Sequence, residues 1–113
     1  MSGRNVTRGL LCPVLPAGWP IKYKKAKLDG DSYRQLVDQS ILLFERLNCR
    51  DYARFDYRED EEGNIKLLEA NPNPGWCWDG KLNYMAGFDD ISYSELLNMI
   101  IKTSLERIKN KLL

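Results

Sequence analysis

Apolar residues between Asp31 and Asn48 recur every three or four positions, which is the spacing of a helix with one buried face. Asp31 or Ser32 is suited to cap the start of this helix, and Ser32 forms a capping box with Gln35. The predicted buried stripe consists of Tyr33, Leu36, Val37, Ser40, Ile41, Phe44 and Leu47. The pattern predicts a helix over residues 31–48 that contributes this stripe to the core.

The same spacing returns near the end of the chain, from Ser92 to Lys109, where Ser92 and Glu95 form a second capping box. Its predicted buried stripe is Tyr93, Leu96, Leu97, Ile100, Ile101, Ser104, Leu105 and Ile108. A shorter segment, residues 82–87, is compatible with a helix that ends at Gly87. These segments predict three helices in total.

Between the first and second helical segments the pattern changes to that of two β-strands. Residues 50–58 and 65–71 are strand-like runs, and a polar segment separates them. Within that segment, Gly63 supplies the positive φ angle that a tight loop requires. The sequence therefore predicts an antiparallel hairpin, and a helix–hairpin–helix order of this kind predicts an α+β fold.

One face of the predicted hairpin is polar. If the loop is residues 61–64, Asp56 faces Glu69 and Arg54 faces Asn71, and all four side chains project to the same side. The opposite, apolar face carries Ala53, Phe55, Tyr57, Leu68 and Ala70. We expect this apolar face to pack against both long helices.

The two facing carboxylates, Asp56 and Glu69, would repel each other if nothing lay between them. A hard divalent cation bridged by carboxylate and amide oxygens removes this repulsion, so a magnesium site at Asp56, Glu69 and Asn71 is one hypothesis. The alternative is a solvated hairpin in which Arg54 forms an ion pair with Asp56 or Glu69. The hairpin pattern is compatible with both.

The motifs R-x-D and E-x-N-P-N-P-G, in which thirteen positions separate Asp56 from Glu69, resemble a known family. They are similar to the C-terminal lobe of ATP-grasp carboxylate–amine ligases, most closely the D-alanine:D-alanine ligase branch. The resemblance covers residues 23–108. It implies that Asp56, Glu69 and Asn71 hold magnesium or manganese against the phosphates of ATP, and that Arg54 contacts the transferring phosphoryl group.

Two further roles follow from the resemblance alone. Lys27, which follows an alanine ahead of the first helix, matches the lysine of the family's lid loop that reaches the γ-phosphate of ATP. Gly75 matches the family glycine whose backbone N–H holds the tetrahedral intermediate. Residues 76–81, W-C-W-D-G-K, depart from the family because the serine that binds the acceptor carboxylate is missing. Trp76 and Trp78 either line a roomier, more apolar pocket or close a small core.

Composition narrows the remaining possibilities. The net charge of +1 gives no electrostatic argument for a nucleic-acid or anionic-membrane partner. Three cysteines without C-x-x-C spacing, together with the absence of histidine, argue against a disulfide framework or a zinc site and favour a reducing cytoplasm. No apolar run reaches the roughly 20 residues of a membrane helix.

The length of 113 residues accommodates one lobe of an ATP-grasp domain. We expect residues 1–20, which contain three prolines, to be irregular, and residues 21–113 to form the C-terminal lobe. The sequence thus reads as part of a ligase that acts on a small amino-acid-like substrate, inactive as an isolated chain. The competing hypothesis is a non-catalytic binding or interaction module. Exposed apolar surface would favour a homodimer or association with the missing lobe.

Overall fold

The computed structural model describes residues 25–112, so the predicted irregular segment 1–20 and Cys12 lie outside the described residues. The elements follow in the order α1 (Gly30–Arg46), β1 (Arg54–Glu59), β2 (Ile65–Asn71), α2 (Lys81–Phe88) and α3 (Tyr93–Leu112). The strands form a two-stranded antiparallel sheet. The α+β prediction is confirmed, and no helix in the described range is long and apolar enough to cross a membrane.

Helix α1 begins one residue earlier than predicted. Its N-cap is Asp29, whose carboxylate accepts a hydrogen bond from the backbone N–H of Ser32 at 2.7 Å. This bond is the main cause that lowers the pKa of Asp29. The prediction of Asp31 or Ser32 as the cap is wrong, because the Ser32 side chain is buried and its hydroxyl lies 3.3 Å from Glu59 Oε1 at the hairpin.

The hairpin has the predicted register where the polar residues lie. Arg54 is paired with Asn71, Phe55 with Ala70 and Asp56 with Glu69. The register then shifts by one, because Tyr57 is paired with Leu67 and Leu68 is left out as a bulge. Leu68 is 64% exposed, so its assignment to the buried apolar face is wrong.

The loop and the start of β1 are set by backbone conformation. Gly63 has a φ of +83°, as predicted, and the Asp60 carboxylate accepts from the N–H groups of Asn64 and Glu62 at 2.8 and 3.0 Å. The N–H of Asn64 is the main cause that lowers the pKa of Asp60. Strand β1 begins at Arg54 rather than residue 50, since Asp51 has a φ of +68°, which interrupts an extended run.

Two hydrophobic clusters make up the core. One lies between α1 and the hairpin, and the other lies between α2 and α3. The first contains Leu36, Tyr57 and Ile65, with Leu28, Leu43 and Phe55 packed against it. The second contains Leu82, Ala86, Leu96 and Ile100, with Tyr52 and Ile91 packed against it. The hairpin packs on α1 as predicted, but the main partner of α3 is α2.

The two clusters are linked through the turn that precedes β1. The Asp51 carboxylate accepts two hydrogen bonds from the Arg107 guanidinium, from Nε at 2.9 Å and Nη2 at 3.0 Å, and a third from the Ser104 hydroxyl at 2.9 Å. A bidentate pair of this kind has a fixed geometry. It attaches the start of the hairpin strand to α3, although Asp51 is 53 positions from Ser104 and 56 positions from Arg107 in sequence.

Candidate functional site

The polar face of the hairpin gathers the predicted site residues. Arg54 Nε and Nη2 donate to the two carboxylate oxygens of Asp56 at 3.0 and 3.2 Å, and Nη2 lies 3.9 Å from Glu69 Oε2. The Arg54 side chain is 12% exposed, whereas Asp56 and Glu69 are 28% and 59% exposed. The guanidinium thus lies between two carboxylates that solvent and ligands can reach.

This geometry contains the ion pair that the solvated-hairpin hypothesis describes. It also places oxygen donors on neighbouring strands, because Asp56 faces Glu69 directly and Asn71 lies two residues beyond Glu69 on the same face. Both sequence hypotheses share this arrangement.

Asn71 is oriented by the turn that follows it. Its side-chain oxygen accepts a hydrogen bond from the backbone N–H of Asn73 at 3.0 Å, which is an Asx turn. Pro74 is fully buried in the next part of this turn. The oxygen of Asn71 keeps a second lone pair for another ligand.

Several residues that brace this turn were missed by sequence reasoning. The Tyr52 hydroxyl donates to Asn73 Oδ1 at 2.6 Å, and its ring meets Trp76 edge-on, with centroids 5.5 Å apart. The Tyr93 hydroxyl donates to the Trp76 carbonyl at 2.7 Å. The only sequence signal for these contacts is the presence of tyrosines near the motifs. Tyrosines are equally typical of a hydrophobic core, so this signal does not identify them as site residues.

The predicted substrate-binding loop is open. Trp76 and Trp78 are 44% and 71% exposed and Cys77 is also exposed, so these side chains do not close a core within the described residues. A Cβ atom added to Gly75 would meet nothing within 4 Å, which leaves its backbone approachable. This chain's own packing therefore does not require glycine at position 75.

Lys27 is not brought into the hairpin group. It is exposed in the segment ahead of α1, and it has no hydrogen bond or ion pair to another described residue. Its neighbour Lys25 instead donates to the Phe88 carbonyl at 3.0 Å, at the end of α2. The lid role of Lys27 stays a prediction.

The residues of the polar face fit a magnesium ion. Two carboxylates and an amide are hard oxygen donors, and magnesium completes its coordination with water and substrate phosphates rather than with an all-protein cage. Residues 25–112 contain no group of three histidine, cysteine or acidic side chains placed to hold a metal, so this set consists of two acids and an amide. Because Asp56 and Glu69 are both partly exposed, a magnesium ion and its water or phosphate ligands can reach them.

Comparison with known proteins places this geometry in a family. The sequence profile described as D-ala D-ala ligase C-terminus matches residues 21–102. The chain is 35% identical over 81 residues to D-alanine–D-alanine ligase B of Clostridium perfringens, covering 72% of this chain and 27% of that protein. It is 36% identical over 93 residues to the uncharacterized protein y4sG of Sinorhizobium fredii, covering 82% and 28%.

The fold agrees with these relatives. The structure superimposes on D-alanine–D-alanine ligase from Bacillus anthracis, solved in complex with ATP, with a TM-score of 0.79 and 26% identity, covering 90% of this chain and 35% of that one. This chain spans about a quarter of the length of the curated relatives it matches. From the matched profile, the relatives and the shared architecture, it follows that the chain belongs to the D-ala D-ala ligase C-terminus family, within the ATP-grasp fold.

Proposed function

We propose that this chain is the C-terminal part of a cytoplasmic, ATP-dependent ligase that joins a carboxylate to an amine through an acyl phosphate. The observation that carries the proposal is the placement of Arg54, Asp56, Glu69 and Asn71 on one face of the hairpin. The guanidinium cation of Arg54 suits a phosphate-rich substrate, and the two carboxylates beside it suit the metal ion that accompanies such a substrate. The family relationship supplies the reaction class.

The surroundings of the hairpin residues support the roles proposed for them, whereas the role proposed for Lys27 rests on the family resemblance. Asp56, Glu69 and Asn71 would hold magnesium or manganese, which supplies neutralisation of phosphate charge when bound. Arg54, held in place by its two hydrogen bonds to Asp56, is pre-positioned to stabilise the charge of a transferring phosphoryl group. Gly75, where an added Cβ atom would meet nothing within 4 Å, would present its backbone N–H to the reacting carbonyl oxygen, and Lys27 would close over the γ-phosphate.

The acceptor substrate is a small amino-acid-like amine in this proposal. The exposed tryptophans of the loop after Gly75 favour an acceptor with more apolar surface than D-alanine. We expect no ADP formation by the isolated chain. Residues 21–102 match the C-terminal lobe, and ATP-grasp enzymes clamp the nucleotide between two lobes.

The metal site can be tested on the chain itself with Mn²⁺ as a paramagnetic probe. We expect the amide signals of residues 54–56 and 69–71 to broaden first in a titration, and Asp56→Asn combined with Glu69→Gln to abolish the effect. The matched control is Glu61→Gln combined with Glu62→Gln, which removes the same charge from the exposed loop. Broadening centred elsewhere, or an equal loss in the control, would show that the metal assignment is wrong.

A non-catalytic binding module is the second candidate, and the ion pair between Arg54 and Asp56 favours it. In such a module Asp56 serves only to hold Arg54. The same titration separates the two functions: the module predicts no broadening at the hairpin, while Asp56→Asn would still lower the free energy of unfolding.

A further inference from the structure

The side chain of Asn71 is connected to the α2–α3 cluster by a chain of contacts. Its oxygen accepts from the N–H of Asn73, and the side chain of Asn73 accepts from the hydroxyl of Tyr52. Residue 73 is therefore held both by its backbone and by its side chain. A flexible turn held at two points loses much of its freedom before any ligand binds.

Tyr52 is itself well fixed. Its ring packs against the cluster of Leu82, Ala86, Leu96 and Ile100, and it meets Trp76 edge-on. The residue before it, Asp51, is held to α3 by the three hydrogen bonds from Arg107 and Ser104.

The backbone at this point supports the same interpretation. Asp51 has a φ of +68°, and the N–H of Tyr52 donates to the carbonyl of Arg50 at 2.7 Å around it. A non-glycine residue adopts a left-handed conformation at a cost, which is smaller for aspartate than for most residues, and keeps it where surrounding contacts constrain it. Here the bonds to Arg107 and Ser104 supply that constraint, and the resulting tight turn sets the position of Tyr52.

We propose that Tyr52 is a positioning residue for the metal site: through Asn73 it fixes the amide of Asn71 in the orientation that presents its oxygen. This inference rests on the proposed function, because it assigns Asn71 to the metal. In this role Tyr52 is not itself a metal ligand. Because Tyr52 packs on the α2–α3 cluster, its hydrogen bond to Asn73 restrains Asn71, a proposed metal ligand at the end of β2. Strand β2 itself packs against α1.

The test measures Mn²⁺ affinity and the order of the Asn71 side chain on the same variants. Tyr52→Phe removes the hydroxyl and keeps the ring contact with Trp76. We expect it to weaken Mn²⁺ binding roughly tenfold, the low end for loss of a group that orients a metal ligand, and to lower the NMR order parameter of the Asn71 amide. Tyr33→Phe, which removes a hydroxyl from α1, is the control and should change neither.

A double-mutant cycle then assigns the effect to the bond. Asn73→Ala should weaken binding as much as Tyr52→Phe, and the double variant should be no weaker than either. Unchanged Mn²⁺ affinity in Tyr52→Phe, together with lost binding in Asp56→Asn, would overturn this inference and leave the proposed function standing. Mn²⁺ binding that does not depend on Asp56 would instead refute the proposed function, and with it the metal role of Asn71.

Discussion

Two neighbouring isoleucines of α3 allow the packing of the α2–α3 cluster to be tested directly. Ile100 is 5% exposed and belongs to that cluster, whereas Ile101 is 49% exposed. Replacement of either by alanine removes the same atoms and changes helix propensity by the same amount. Any difference in stability between the two variants therefore reports on tertiary burial.

The expected magnitude follows from the burial of each side chain. Ile100→Ala removes buried carbon atoms and leaves a cavity, which costs about 3 kcal/mol, within the usual range of roughly 2–5 kcal/mol. Ile101→Ala removes atoms that are half in solvent, so its cost is about 1 kcal/mol or less. A domain of this size has a total stability of only about 5–10 kcal/mol, so the first change is large.

Urea denaturation followed by circular dichroism measures both free energies of unfolding. With a slope of about 1.5 kcal/mol per molar urea, Ile100→Ala should lower the midpoint by ~2 M and Ile101→Ala by well under 1 M. Equal shifts in the two variants would refute the assignment of the buried face of α3. A larger shift for Ile101→Ala would mean that α3 is rotated relative to the structure described above.

Three further predictions concern pH, backbone conformation and association. Hydrogen bonds from Arg107 lower the pKa of Asp51, so the stabilising contribution of this carboxylate is full above the ordinary pKa of 3.8 and is lost as the pH falls through the folded pKa. Asp51→Asn should therefore reduce the drop in urea midpoint at acid pH, and an unchanged pH profile would contradict this. Gly63→Ala, at a φ of +83°, should lower the free energy of unfolding in urea by about 1 kcal/mol, whereas Gly75→Ala, where an added Cβ atom meets nothing, should lower it little. Equal losses in the two variants would count against the turn assignment. The exposed apolar residues of α3 predict a homodimer that Leu105→Glu dissociates in sedimentation velocity, and a strictly monomeric wild-type chain at high concentration would rule it out.

The candidate site could be predicted from sequence to the extent that it is local. Strand alternation predicts that Asp56 faces Glu69 and that Arg54 faces Asn71, and both pairs are observed. They occur with a loop of residues 60–64 rather than 61–64, because Glu59 pairs with Ile65 and the bulge at Leu68 restores the predicted offset. The capping box of Ser92 and Glu95 is local in the same sense, and the N–H of Glu95 does donate to the Ser92 hydroxyl.

The local sequence pattern gave a wrong prediction where more than one residue or pairing satisfied the same local rule. Asp29, Asp31 and Ser32 can each cap a helix, and the choice of Asp29 leaves the Ser32 side chain to be buried near Glu59 and Gly63. The bulge at Leu68 is a similar case, because it shifts the pairing by one residue and exposes a side chain that strict alternation assigns to the core.

The sequence by itself determined the elements and the residue types that share the polar face of the hairpin, because each depends on residues that are close in the chain. Only the tertiary structure decided which half of the α3 stripe is buried, why Asp51 is left-handed, and how Tyr52 braces Asn73. Asp51 and Arg107 are 56 positions apart, and Tyr52 and Asn73 are 21 apart. No periodicity encodes contacts of that separation, since they form only when α2, α3 and the hairpin pack together.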